Sequence, residues 1–397
     1  MTNCLYINIY KLSILRYIKN KKCSMIKKEI GYAYNDITLV PTIISDVKSR
    51  SEINCMDVNK RLPIFVAPMS SVINENNYDV FEQNGLYTVI PRSVDFKERM
   101  KLFGNNGTLF NDVNHRFIAL SLNEFKECFC DDENTKQNKN KHFNICIDIA
   151  NGHMKQLYDL CKKAKELSYQ HEYELAIMTG NIANPDTYRE ICMMIMNNKP
   201  IVDYIRVGIG GGSGCTTTSN VSVHYPMASL IDECNTIKKE LQLPNLTKII
   251  ADGGIRNYSD VIKALALGAD YVMIGGLFAK CLESCGTKMF TNYKGESEMC
   301  SAEAAQELYD KGAQLYTRFY GMASADGQIA INHKKTKTAE GITKMLPVEY
   351  KLHKWVENMQ DYLRSAMSYC GAFNLDEFIG KQTLIVNSPA EIAAVNK

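Results

Sequence analysis

Between residues 62 and 275, short apolar runs bounded by Gly, Asn or Asp recur in alternation with longer segments of helical period. The runs fall at 62–67, 86–90, 116–121, 143–149, 174–179, 204–208, 248–251 and 271–275. Runs of this length followed by amphipathic segments are the pattern of repeated βα units and a parallel sheet. Eight of them predict an α/β chain folded as a closed (β/α)8 TIM barrel.

The seventh unit shows the logic in minimal length. After KIIAD, Ser259 can cap a helix with Val261, Ile262 and Leu265 on its apolar stripe, and Gly268 can close it before YVMIG. The span 277–346 is too long for a plain connection and carries a lysine-rich portion at 332–338, which predicts a flap or lid inserted after the eighth strand. A helix then resumes with Val356, Met359, Leu363 and Ala366 on one face and Gly371 past its end; Trp355 reads as packing.

Residues 1–24 hold five basic and no acidic residues and read as a non-structural leader, a targeting presequence being the alternative; residues 25–397 then form one catalytic domain. A formal charge of +2 gives no electrostatic reason to expect nucleic acid or an anionic membrane, and no apolar run approaches the roughly 20 residues of a membrane span. The 14 cysteines show no disulfide framework and point to a reducing, cytoplasmic setting. Cys128, Cys130, His142 and Cys146 match no zinc spacing.

Active sites of such barrels lie at the carboxyl ends of the strands, with phosphate often held by the last two loops. Asp252-Gly253-Gly254 follows the seventh run and Gly275-Gly276 the eighth. Their N–H groups can cradle a phosphate while Asp252 accepts from ribose hydroxyls. The sixth run opens into VGIGGGSGCTTT, which lacks the Lys-Ser/Thr of a Walker loop and the spacing of a Rossmann fingerprint. Cys215 in that loop is either a nucleophile among backbone donors or an inert buried thiol.

Taken together, YNDITLVP, LPIFVAPMSSV, DIANGH, MTGNIANP, VGIGGGSGCTTT, IIADGGIR, ALALGADYVMIGGLFA, FYGMAS, AEG and SYCGA resemble the inosine monophosphate dehydrogenase and guanosine monophosphate reductase family. The resemblance implies that Cys215 attacks carbon 2 of a purine nucleotide and forms a covalent thioimidate. Dehydrogenases of the family hydrolyse that adduct with an Arg-Tyr pair on a flap and usually carry inserted CBS modules. Here 321–341 holds neither Arg nor Tyr, and the interval between Arg92 and Asp148 leaves no room for such modules.

The resemblance is therefore to the reductase branch, which converts GMP to IMP and ammonia with NADPH. IMP oxidation with NAD and a degenerate nucleotide-binding barrel are the alternatives. It implies that Thr217 and Glu340 relay a proton to departing ammonia. It places the nucleotide on Ser213, Asp252, Gly253, Gly254, Gly275, Gly276, Gly321, Met322, Ala323 and Gly341. The cofactor falls on Ser49, Arg50, Arg92, Asp148, Ile149, Ala150 and Asn181, with Ser365 and Ser368 serving a neighbouring subunit of a homotetramer. Carbonyls of Gly210, Gly212 and Cys215 are implied to hold potassium. Three departures stand out: APMSSV stands where the family often has Asn and Asp-Thr, Pro91-Arg92 replaces a His-Lys or His-Arg pair, and Gly214 replaces a bulkier residue, which predicts a more mobile loop.

Overall fold

The computed structural model describes residues 29–103, 115–243, 245–291, 295–334 and 337–395; the leader lies outside them. A compact unit spans Tyr32–Lys397. Its centre is a closed barrel of eight parallel strands in chain order: β1 Ile64–Val66, β2 Tyr87–Ile90, β3 Arg116–Leu120, β4 His142–Ile147, β5 Glu174–Ile182, β6 Tyr204–Val207, β7 Lys248–Asp252 and β8 Tyr271–Ile274. β8 pairs with β1 and closes the ring. Each expected run is a barrel strand.

Alternation along the strands sorts two cores. Outward-facing residues such as Ile64, Ile205 and Ile249 pack with the surrounding helices, whereas Phe65, Tyr87, Phe117, Cys146, Met178, Ile250 and Met273 fill the barrel. Aromatic rings dominate this inner layer: Phe65 and Tyr87 lie 4.9 Å apart, Phe65 and Phe117 5.5 Å, Tyr204 and Tyr271 5.8 Å. Asn59 donates to the Tyr87 hydroxyl at 2.7 Å, and that hydroxyl donates to Asp57. The barrel is thus a packed interior rather than a pore.

The helix after β7 runs Tyr258–Leu267 and is capped by Asn257, not Ser259. Asn257 Oδ1 accepts the Asp260 N–H at 3.0 Å, three residues on, where a cap must reach. Gly268, at φ +121°, closes the helix as expected. The last long helix is Leu352–Tyr369, and its Trp355 is buried against Tyr258 and Phe278.

The insertion after β8 has more structure than its sequence suggested. Four antiparallel strands, in the order Ser297–Cys300, Lys288–Thr291, Leu315–Tyr320 and Thr343–Pro347, form a sheet beside the barrel. Helices Ala302–Asp310 and Ala325–Asn332 interrupt it. The flap proper connects the last two strands, so both of its ends are fixed in one sheet. At the opposite side, Ile37–Leu39 pairs with Leu384–Val386 and clasps the two ends of the unit together.

Candidate active site

Two residues beyond the last inward-facing core residue of a strand, the next side chain reaches the rim of the barrel. Cys146 leads in this way to Asp148, Tyr204 to Arg206, Ile250 to Asp252 and Met273 to Gly275. These rim residues border a cavity of about 610 Å³ at the carboxyl ends of the strands. On β5 a register shift between Gly180 and Ile182 turns Asn181 to the same place.

One side of the cavity is built from backbone. The β6 and β7 loops interlock, with Gly254 N–H donating to the Gly211 carbonyl at 2.9 Å. A Cβ on Gly211 would lie 3.2 Å from Gly254 N. Ser213 meets the eighth loop, where a Cβ on Gly276 would fall 2.7 Å from Ser213 Oγ. His224 donates from Nδ1 to the Ile209 carbonyl at 2.8 Å and ties down the far end of the glycine loop.

Cys215 is half-buried and faces this cavity. Its thiol donates to Thr217 Oγ1 at 3.2 Å, and that hydroxyl donates to Glu340 Oε2 at 3.1 Å. The Thr217 N–H donates to Cys215 Sγ at 3.4 Å. Thiol, hydroxyl and carboxylate therefore form a continuous chain across residues 123 positions apart. Burial pushes the thiols of Cys146 and Cys285 up to about 12 and those of Cys128 and Cys130 up to about 11.

The other side of the cavity is built from charged side chains. Arg206 donates through Nε to Asp252 Oδ2 and through Nη1 to Asp148 Oδ1, both at 2.8 Å. Burial alone would favour loss of its proton, but the facing carboxylates outweigh that and keep it cationic. Asn181 Nδ2 adds 2.8 Å bonds to Asp252 Oδ2 and to the Gly208 carbonyl. Arg92 Nη1 donates to the Asp148 carbonyl at 3.1 Å.

Most residues singled out in the sequence line this one cavity: Gly210, Gly212, Ser213, Cys215, Thr217, Asp252, Gly253, Gly254, Gly275, Gly276, Gly321, Met322, Ala323 and Glu340, together with Arg92, Asp148, Ile149, Ala150 and Asn181. Gly341 stands just outside the lining, in a β-bridge with Cys215. Four others do not line it. Ser49 caps the turn Arg50–Glu52 on the surface, and Ser365 and Ser368 sit on the last turns of Leu352–Tyr369. The structure brings those segments together instead: Ser45 Oγ donates to the Ser368 carbonyl at 2.9 Å and Thr42 N–H to the Tyr369 carbonyl at 3.0 Å.

Cavity residues that sequence reading passed over include Arg206, Phe319, Gln328 and Lys337. The signal for Arg206 was a charge at an inward position of the strand YIRV. Gln328 and Lys337 gave none, because only the flap fold, where Lys337 N–H donates to Gln328 Oε1 at 2.9 Å, brings them over the cavity. Cys130 and His142, weighed in the sequence as metal ligands, have other partners: Cys130 donates to the Leu160 carbonyl and His142 pairs with Glu174.

Comparison with known proteins follows the same lines. Residues 31–395 match the family model described as the IMP dehydrogenase / GMP reductase domain. A GMP reductase of Onchocerca volvulus is 32% identical over 247 residues, covering 61% of this chain and 57% of that protein. GMP reductase of Vibrio parahaemolyticus serotype O3:K6 is 27% identical over 379 residues, and human GMP reductase 2 is 27% identical over 371; each alignment covers 91% of this chain and 95% of the relative. With the family model spanning nearly the whole barrel unit, this chain belongs to the IMP dehydrogenase / GMP reductase family.

Proposed function

We propose that this chain is an NADPH-dependent reductase that converts GMP to IMP and ammonia. The observation that carries the reading is the Cys215–Thr217–Glu340 hydrogen-bonded chain at the junction of the glycine loops and the flap. A thiolate is a competent nucleophile toward the electron-poor carbon 2 of guanine, and the amino group there leaves only once it is protonated. Thr217 accepts from the thiol and donates to Glu340, so the thiol proton can reach the carboxylate as the thiolate forms, and the protonated carboxyl then returns it through Thr217 to the leaving nitrogen.

The atoms balance as GMP, NADPH and two protons giving IMP, ammonium and NADP. The Cys215 Sγ–carbon 2 bond forms and the carbon 2–nitrogen bond breaks, with Glu340 and Thr217 supplying a proton to the nitrogen. NADPH, when bound, would supply the hydride that carbon 2 takes up. The sulfur–carbon bond then breaks and returns the thiolate. No role for an activated water arises, in keeping with a flap segment 321–341 that holds no Arg and no Tyr.

The residues present fit both implied groups. Arg92 brings a cation, and Asp148, Ala150 and Asn181 bring polar atoms, to the same cavity as the glycine loops, suiting a dinucleotide beside the purine. For potassium the donors are neutral oxygens, the class a hard cation takes. The Gly210 carbonyl accepts from Thr218 Oγ1 at 3.1 Å and that of Gly212 from Cys215 N–H at 3.0 Å, so each keeps a second lone pair for an ion.

A homotetramer is part of the reading, as is a cytoplasmic setting. Beside the surface patch that joins 42–50 to the end of Leu352–Tyr369, Ile43, Ile44, Tyr362 and Tyr369 are exposed, an apolar surface suited to another subunit. Among the described residues no helix is long and apolar enough to cross a membrane.

Purified protein given GMP and NADPH is expected to consume NADPH and release ammonia in equal amounts. Turnover of IMP with NAD in its place would make the chain a dehydrogenase; tight GMP binding with neither reaction would make it a binding protein.

A further inference from the structure

Glu340 reaches Thr217 because the flap root lies directly on the catalytic loop. Ile342 N–H donates to the Gly214 carbonyl at 3.0 Å, Thr216 N–H to the Glu340 carbonyl at 3.0 Å, and Gly321 N–H to the Ile342 carbonyl at 3.4 Å. Cys215 and Gly341 face each other in an antiparallel bridge. At two positions of this contact a side chain has little room. A Cβ on Gly214 would lie 3.0 Å from Gly321 N and 3.2 Å from the Phe319 ring. One on Gly341 would lie 2.8 Å from the Gly214 carbonyl oxygen and 2.9 Å from Ser324 N.

Gly214 is buried in the middle of this contact, although its φ lies outside the left-handed region. The reason for glycine there is room for the flap rather than backbone freedom. The sequence expectation of a more mobile loop rests on the missing side chain alone; Gly321 N and the Phe319 ring lie where that side chain would start.

We propose that Gly214 is a positioning residue for the proton relay, setting the reach of Glu340 to Thr217 by letting the flap root seat on the catalytic loop. This deepens the reductase reading and rests on it for the kinetic outcome. The relay bond of 3.1 Å is already long for a hydroxyl on a carboxylate, so a flap lifted by a few tenths of an ångström weakens it further. The nucleotide loops after β7 and β8 touch Gly211 and Ser213, while Gly321 of the flap root lines the cavity as well, so the relay is read from kcat at saturating GMP and not from affinity.

The test is a double-mutant cycle of Gly214→Val with Glu340→Gln, Gly214→Ala serving as the milder variant. Gly214→Val is expected to lower kcat at saturating GMP by ~30-fold or more, and Gly214→Ala to fall between. Once Gly214→Val is present, Glu340→Gln should cost less than ~3-fold further. Wild-type kcat in Gly214→Val, or a full additional loss from Glu340→Gln, overturns the proposal. Hydrogen exchange at the Thr216 and Ile342 amides reads the contact without turnover: faster exchange in both variants is expected, and unchanged exchange overturns it. A parent enzyme that fails to reduce GMP sinks the reductase reading alone, and the exchange result still decides the docking.

Discussion

The two sides of the cavity are made from different materials. Around Cys215, Gly254 and Gly276 the walls are main chain, held by N–H to carbonyl bonds and by contacts that no side chain fits. Around Asp148, Arg206 and Asn181 the walls are side chains on rigid strand ends, held by charge. A main-chain wall can place many donors around a phosphate or a purine edge with little desolvated charge. A side-chain wall adjusts more readily to a different ligand but collapses when one ion is removed. Arg206 is the seam, since one guanidinium bonds Asp252 on the first side and Asp148 on the second.

The sharpest way to break this comparison is to remove the chemistry and leave the walls. Cys215→Ala is expected to lower turnover by more than ~10⁴-fold, while calorimetry still shows GMP binding, because the glycine loops remain. Loss of binding together with turnover would mean that the thiol builds the wall. Glu340→Gln comes next, with kcat down ~10²- to 10³-fold and the KM for GMP nearly unchanged in steady-state assays, as fits loss of a general acid.

Arg206→Gln attacks the seam. It leaves Asp148 and Asp252 facing one another without a cation, which should cost about 3 kcal/mol of stability in denaturant titration and weaken nucleotide and cofactor together. If only one ligand is affected, the two sides are not joined through this residue.

The smallest effect on activity should come from the frame beneath both sides. Glu82, on the helix after β1, bonds Arg116 Nη2 at 2.6 Å, His115 Nε2 at 3.0 Å and Thr88 Oγ1 at 2.7 Å. Burial raises its pKa, but those bonds outweigh burial and hold it down to about 2. A depressed carboxyl stabilises the fold above its unfolded value near 4.3 and loses that contribution as pH falls toward about 2. The contribution is about 3 kcal/mol at neutral pH. Stability curves of Glu82→Gln should therefore flatten between those limits, with kcat per folded molecule unchanged.

The barrel was legible because its signals are local: each strand is a continuous apolar run and each glycine pair stands directly after one. Cys215, Asp252 and Gly275 could be placed from strand number alone. Arg206 was visible as a charge inside YIRV, yet its meaning depends on Asp148 and Asp252 from other strands. The four-stranded sheet of the insertion was not legible, since SEMC is exposed along nearly all its length and LYTRFY, which alternates buried and exposed, takes its partners from separate segments. The pairing of 42–50 with the end of Leu352–Tyr369 joins segments more than 300 residues apart, for which sequence carries no local sign.

The central claim is that Cys215 carries the purine while Thr217 and Glu340 let ammonia go. Intact-protein mass spectrometry after acid quench of a single turnover with GMP and NADPH tests it most directly. The account predicts a transient adduct on Cys215 that lacks the guanine amino nitrogen, absent in Cys215→Ala and formed far more slowly in Glu340→Gln. Turnover with no adduct on Cys215, or an adduct that forms at the parent rate in Glu340→Gln, would contradict it.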